Sequence, residues 1–195
     1  MPTAVSPLRI VQITDPHLKA QPSRLWGADV DAGLNAVLAH IRQRDPAPDF
    51  LIATGDLVGD DPEAYPRFRQ LLEPLGLPVY CLPGNHDFPA AMSRALGNGR
   101  VRRQRYLATE HWQLALLDSV LASDPNRHAL ICLHHNPLPV GTVWLDTMTV
   151  SNGAALFALL DRYPQVRAVA WGHLHAEFTG RRGDVQLLGA PATSV

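Results

Sequence analysis

Short apolar runs rich in β-branched residues alternate along the chain with segments whose apolar residues recur at helical spacing. Residues 8–14 predict a strand, and Pro16, which cannot donate to a sheet ladder, marks its end. Val30, Leu34, Val37, Leu38 and Ile41 share one face of a helix over 29–43, closed by Pro46 and Pro48. Residues 50–54 predict a second strand. Tyr65, Phe68, Leu71, Leu72 and Leu75 then form the apolar face of a second helix, with Asp60 or Asp61 as its cap and Pro62 in its first turn. A third strand over 77–82, a short helix over 90–96 and a basic, polar connection over 97–105 follow. Residues 112–118 and 129–133 read as the fourth and fifth strands, and 137–152 as a loop. A helix over 153–163, a sixth strand over 166–171 and a last strand over 185–188 complete the chain. Strands alternating with helices predict an α/β fold with a sheet covered on both faces, and 195 residues suit one domain.

The polar residues at the strand ends change this picture from a fold to a site. Five strand ends carry Asp, Asn or His: Asp15 and His17, Asp56, Asn85 and His86, His134, and His173 with His175. Loops at one carboxyl edge of such a sheet converge although they are distant in sequence. Each residue alone is ordinary: an Asp after Gly is usually a turn residue, and an isolated His usually has no ligand role. His40, His111 and His128 lie away from the strand ends and are read that way. Together, imidazole and carboxylate without thiolate suit divalent iron, manganese, cobalt or zinc. So many groups exceed one tetrahedral site and suit two ions sharing a bridge. Asp56, alone after Gly55, is the natural bridging carboxylate, with one oxygen expected on each ion. In Asp15-x-His17 and His173-x-His175 the alternation of an extended strand would aim both side chains the same way. Gly84 lets the chain turn before Asn85 where a side chain would clash.

Composition narrows the function classes. Hydrophobic residues make up 46% of the chain, enough for a packed core. A net charge of −1 gives no electrostatic footprint for a nucleic-acid polymer or an acidic membrane. Cys81 and Cys132 sit inside apolar runs and read as buried free thiols, which fits a reducing cytoplasm. The first seven residues lack the basic start and apolar centre of a signal peptide, and no run approaches a membrane span. Residues 1–7 are expected to be a disordered tail, 8–195 the domain, and the location cytoplasmic.

In their order and composition, Asp15-x-His17, Gly55-Asp56, Gly84-Asn85-His86-Asp87, His134 and Gly172-His173-x-His175 resemble the calcineurin-like metallophosphoesterase superfamily. The stretches around 12–18, 53–57, 82–88 and 134–139 look like its class III cyclic-nucleotide phosphodiesterases. The resemblance implies a β-sandwich flanked by helices with the active site at the strand carboxyl ends. It implies one ion held by Asp15, His17, Asp56 and His175, and a second by Asp56, Asn85, His134 and His173, iron or manganese before zinc or cobalt. His86 is then the general acid, a role suited to imidazole near neutral pH. His17, Asp56, Asn85, His86, His134 and His175 are expected to surround the substrate phosphate. Asp87 and His135 could orient the ligands. The implied reaction is hydrolysis of 3′,5′-cyclic AMP to 5′-AMP, with a broader phosphodiesterase or phosphomonoesterase, or a non-catalytic metal or nucleotide scaffold, as alternatives. The expected partner is a small cyclic nucleotide or other phosphodiester. Relative to the family the chain is expected to be shortened between 118 and 129 and at its C-terminus. The ten residues left there are too few for the family's covering helix, and the surface so exposed would favour a homo-oligomer.

Overall fold

The computed structural model describes residues 7–97, 101–103 and 111–194; the first six residues of the tail expected over 1–7 and parts of the 97–105 connection lie outside them. Two four-stranded sheets carry the fold. The first runs β1 (Ile10–Ile13), β4 (Phe50–Ala53), β5 (Val79–Cys81) and β6 (Val101–Arg103), all parallel. The second runs β7 (Ala129–Cys132), β8 (Val166–Trp171), β10 (Val185–Gly189) and β9 (Phe178–Arg182), with only β9 antiparallel. Parallel pairing needs crossovers, and the helices provide them.

On the first sheet these are α1 (Val30–Arg42), α2 (Tyr65–Leu72) and α3 (Pro89–Leu96). Asp29 caps α1 by accepting from the Ala32 N–H, and Val30, Leu34, Leu38 and Ile41 form its buried face, as their spacing predicts. A 3-10 turn over Pro62–Ala64 leads into α2, and Gly76, at φ 69°, ends the turn that follows it. Tyr65, Phe68 and Leu72 are buried in the same apolar cluster as Ile13, Leu51, Val79 and Met92. A second cluster, around Leu156, Leu160, Val169, Trp171 and Leu187, serves the second sheet and α6 (Gly153–Leu160). Gln12 ties the two sheets together: its amide donates to the Trp171 carbonyl at 2.9 Å and to Thr54 Oγ1 at 3.0 Å.

Three expectations need correction. Residues 112–118 are not a strand but part of α4 (His111–Ser123). The run is apolar nearly all round, so a period of two could not be distinguished from one of 3.6. Leu114, Leu117 and Leu121, at helical spacing, pack into the second cluster. A helix thus stands directly before β7, and the connection from Ser123 to Ala129 is short. The basic connection contains β6, the last strand of the first sheet. The 137–152 loop contains a helical turn, α5 (Val143–Asp146), braced because Asp146 accepts from the Val140 and Gly141 N–H groups. Two elements were not anticipated: β9, and a hairpin of β2 (Arg24–Leu25) with β3 (Ala28–Asp29).

Candidate metal centre

The carboxyl ends of β1, β4, β5, β7 and β8 open on one place. Beyond β1 the chain stays laced to the loop after β4: the Asp15 and His17 N–H groups donate to the Gly55 and Asp56 carbonyls, each at 3.0 Å. Asp15, His17, Asp56, His173 and His175 all have left-handed backbone, with φ between 46° and 66°. Such conformations are uncommon for residues other than Gly and collect at functional sites. The expected extended alternation is thus corrected: His17 and His175 converge through left-handed turns, not through the pleat of a strand.

His17 Nε2 lies 3.1 Å from His175 Nε2, and Asp15 Oδ1 lies 3.8 Å and 3.3 Å from these two nitrogens. His134 Nε2 lies 3.1 Å from Asn85 Oδ1 and 3.3 Å from Asp56 Oδ2. The same Asp56 oxygen is 3.7 Å from His17 Nε2. One carboxylate oxygen therefore faces both groups, where one oxygen for each ion was expected. The other, Oδ1, accepts the His86 N–H at 2.9 Å. His173 stacks near both His134 and His135, with ring centroids 5.2 Å and 4.4 Å away.

These residues fit a pair of ions. Donors about 2.1 Å from a shared ion stand about 3.0 Å apart at a right angle and about 3.4 Å apart at the tetrahedral angle, close to the separations found. Four groups have donor atoms within 4.8 Å of one another: Asp15, His17 and His175; Asp15, Asp56 and His134; His17, Asp56 and His86; and His134, His135 and His173. Asp15 Oδ1, His173 Nε2 and His175 Nδ1 are buried without a hydrogen-bond partner, and buried polar atoms seldom remain so. Burial drives both His17 and His173 down to about 4, so both rings are neutral at pH 7 and able to ligate. Burial alone would raise the Asp56 carboxyl; the hydrogen bond and charge of His134 outweigh it and bring it to about 2. His134 is held above its ordinary value because that same bond overcomes burial.

The scaffold behind the donors is tightly specified. Asp15 Oδ2 accepts from Thr14 Oγ1 and from the His173 N–H, which leaves Oδ1 for the site. His134 Nδ1 faces the Thr54 carbonyl at 2.9 Å, so its Nε2 is the free donor. A Cβ on Gly84 would overlap Asp56 Oδ1, and one on Gly172 would overlap Thr14 Oγ1. Close approach, not a positive φ, is what requires Gly84. Asp87 is not beside the donors. It is buried, and its carboxylate accepts from the Leu57, Val58 and Gly84 N–H groups and from the Tyr65 hydroxyl, joining the two loops.

One residue escaped the sequence reading. Asp60 Oδ2 lies 2.9 Å from His86 Nδ1. Asp61, its neighbour, does the capping, accepting from the Glu63 N–H. Two consecutive Asp where one suffices for a cap was the available signal.

Parallel strands whose ends gather carboxylate, amide and imidazole donors into overlapping groups define a metallophosphoesterase. The chain belongs to the Calcineurin-like phosphoesterase family, which matches residues 8–177. It is therefore a metal-dependent hydrolase of a family that uses a dinuclear divalent centre. A 3′,5′-cyclic-nucleotide phosphodiesterase of Nostoc sp. is 39% identical over 209 residues, 96% of this chain and 79% of that protein. The 3′,5′-cyclic adenosine monophosphate phosphodiesterase CpdA of Escherichia coli is 37% identical over 96% of this chain and 77% of its own length. A dimetal phosphatase from Danio rerio has the same fold, with a TM-score of 0.73 at 12% identity over 96% of this chain and 88% of that one.

Proposed function

We propose that this protein hydrolyses 3′,5′-cyclic AMP to 5′-AMP. Two kinds of support meet here: relatives with that named activity along almost the whole chain, and a site in which every donor expected from the sequence converges. Asp15, His17, Asp56 and His175 would hold one ion, and Asp56, Asn85, His134 and His173 the other. A nitrogen and oxygen donor set without thiolate favours iron or manganese, with zinc or cobalt also accommodated. Bound together, such ions neutralise phosphoryl oxygens and make a coordinated water acidic.

The observation that carries the reading is the His86–Asp60 pair beside this cluster. The leaving ribose 3′ alkoxide needs a proton. With Nδ1 engaged by Asp60, Nε2 is the His86 nitrogen that would carry a proton to the leaving oxygen. His86 also has donor distance to His17 and Asp56. Its engaged Nδ1 and its side-chain exposure of 39%, against 8% for His17, favour a substrate-facing role over ligation. His17, Asp56, Asn85 and His175 border the same space, and His134 lies behind them against Asn85 Oδ1. A cytoplasmic location is supported by the free thiols of Cys81 and Cys132. Self-association through α4 is supported by Leu116 and Val120, 37% and 55% exposed.

The test is metal content together with hydrolysis of 3′,5′-cyclic AMP, 2′,3′-cyclic AMP and a phosphomonoester. Two ions per chain, loss of activity in chelator and preference for the 3′,5′ ring are expected. Equal rates on all three would replace the reading with a broader phosphoesterase; two ions without hydrolysis would leave a scaffold. Asp56→Ala should lower the occupancy of both ions.

A further inference from the structure

His17, Asp56, Asn85, His173 and His175 line a cavity of about 500 Å³ that Leu25, Trp26, Trp144 and Met148 also line. Trp26 and Trp144 are 73% and 63% exposed, whereas Trp171 is fully buried in the core. Large aromatic side chains are normally driven inward by the area they bury. Two of them standing in solvent over one site have no packing role that explains them.

Trp26 has a second peculiarity. Paired β2 and β3 leave Trp26 and Gly27 as the two central residues of a hairpin, with φ of 49° and 90°. Such a turn needs positive φ at both positions and normally takes Asn, Asp or Gly at the first. A bulky residue there is strained. The hairpin is nonetheless firmly mounted. Arg24 Nη1 donates to the Gly27 carbonyl at 2.8 Å, and the Val30 N–H donates to the Ser23 carbonyl at 3.2 Å, joining the hairpin to α1. The mount holds the indole with its centroid 5.2 Å from the His175 ring, at 48°. Trp144 stands on α5, whose loop Asp146 clamps.

We infer that Trp26 is the platform on which the nucleobase of the substrate stacks, with Trp144 as the second wall of the base pocket. This rests on the cyclic-nucleotide reading above and specifies how that substrate is held. An aromatic face accepts any base, because every base has a π-face and stacking uses no hydrogen-bond code. Stacking on such a face distinguishes a nucleotide from a base-free phosphodiester.

Two measurements test this. The first is the ratio of KM for methyl riboside 3′,5′-cyclic phosphate, which lacks a base, to KM for 3′,5′-cyclic AMP. Trp26→Ala should lower that ratio about tenfold, equivalent to about 1.4 kcal/mol of stacking, and Trp26→Phe should restore most of it. An unchanged ratio in Trp26→Ala would overturn the platform. The second is tryptophan fluorescence of the metal-loaded protein titrated with 5′-AMP or with ribose 5-phosphate. Quenching by 5′-AMP alone, diminished in Trp26→Phe, is expected; equal response to both, or quenching undiminished in Trp26→Phe, would overturn it. Protein that stacks 5′-AMP but leaves 3′,5′-cyclic AMP intact would refute the proposed reaction and keep the platform. Protein that cleaves it with an unchanged ratio would do the reverse.

Discussion

His86 Nδ1 and Asp60 Oδ2 lie 2.9 Å apart, and Asp60 reaches this position from a left-handed backbone with φ of 57°. His86 is thereby fixed at both ends: its ring by Asp60, and its N–H by Asp56 Oδ1. On the proposed acid role of His86, Asp60 would act through it as a positioning residue. Asp60→Asn should keep both ions and lower kcat for 3′,5′-cyclic AMP about tenfold, the low end of acid–base effects. KM should change little, and a nitrophenyl ester should be affected less. Loss of metal in Asp60→Asn would instead assign Asp60 to the ligand scaffold.

Asp87 should govern stability more than chemistry. Burial raises its carboxyl above the ordinary range, which its three N–H donors and Tyr65 only partly offset. The cost of removing it comes from the donors left behind. Asp87→Ala strands the Leu57, Val58 and Gly84 N–H groups and the Tyr65 hydroxyl. Each buried unpaired group costs about 1–3 kcal/mol. A net loss of about 3 kcal/mol lowers Tm by roughly 6–12 °C in a chain of this size. Metal affinity should fall with it, because the same bonds align the loops carrying Asp56 and Asn85. Calorimetry with and without added metal checks both effects.

The metal-free protein should lose stability on mild acidification. Folded His17 and His173 sit near 4, below their ordinary 6.5. Between these values the unfolded chain binds protons that the folded chain does not, so stability falls as pH drops from about 6.5 towards 4. His134, raised in the folded state, contributes with the opposite sign, but its share is lost only as pH rises above its ordinary value. A lower urea midpoint at about pH 5 than at about pH 6.5 is expected, and Asp56, near 2, leaves that window untouched. His135, also lowered by burial, adds to this loss, while Asp87, raised by burial, opposes it; an equal midpoint would contradict a net loss from buried neutral imidazoles.

Much of the site was legible because its carriers are strands. Apolar β-branched runs such as 50–53 and 166–171 end abruptly in Gly-Asp or Gly-His, and topology then brings the ends together. Helices with one apolar face, such as α1, were equally plain. Residues 112–118 give no such signal, because the apolar positions of that run are not confined to one face of the helix they form. β9, with the polar sequence Phe178-Thr-Gly-Arg-Arg182, lies at a sheet edge where burial imposes no alternation. The left-handed backbone at Asp15 and Asp56 was beyond reach, because neither Asp nor His announces it. Trp26 was hidden for the same reason: nothing local marks a Trp in a turn that prefers Asn or Gly.

The account stands most directly on the role of His86. The measurement is the rate deficit of metal-loaded His86→Ala on 3′,5′-cyclic AMP against its deficit on a nitrophenyl phosphodiester. A nitrophenolate leaves without needing a proton, whereas the ribose alkoxide does not. Both ions should be retained, with a deficit of roughly 10²–10⁴-fold on the cyclic nucleotide and a much smaller one on the nitrophenyl ester. Equal deficits, or loss of an ion, would contradict the account and make His86 an orienting group or a ligand.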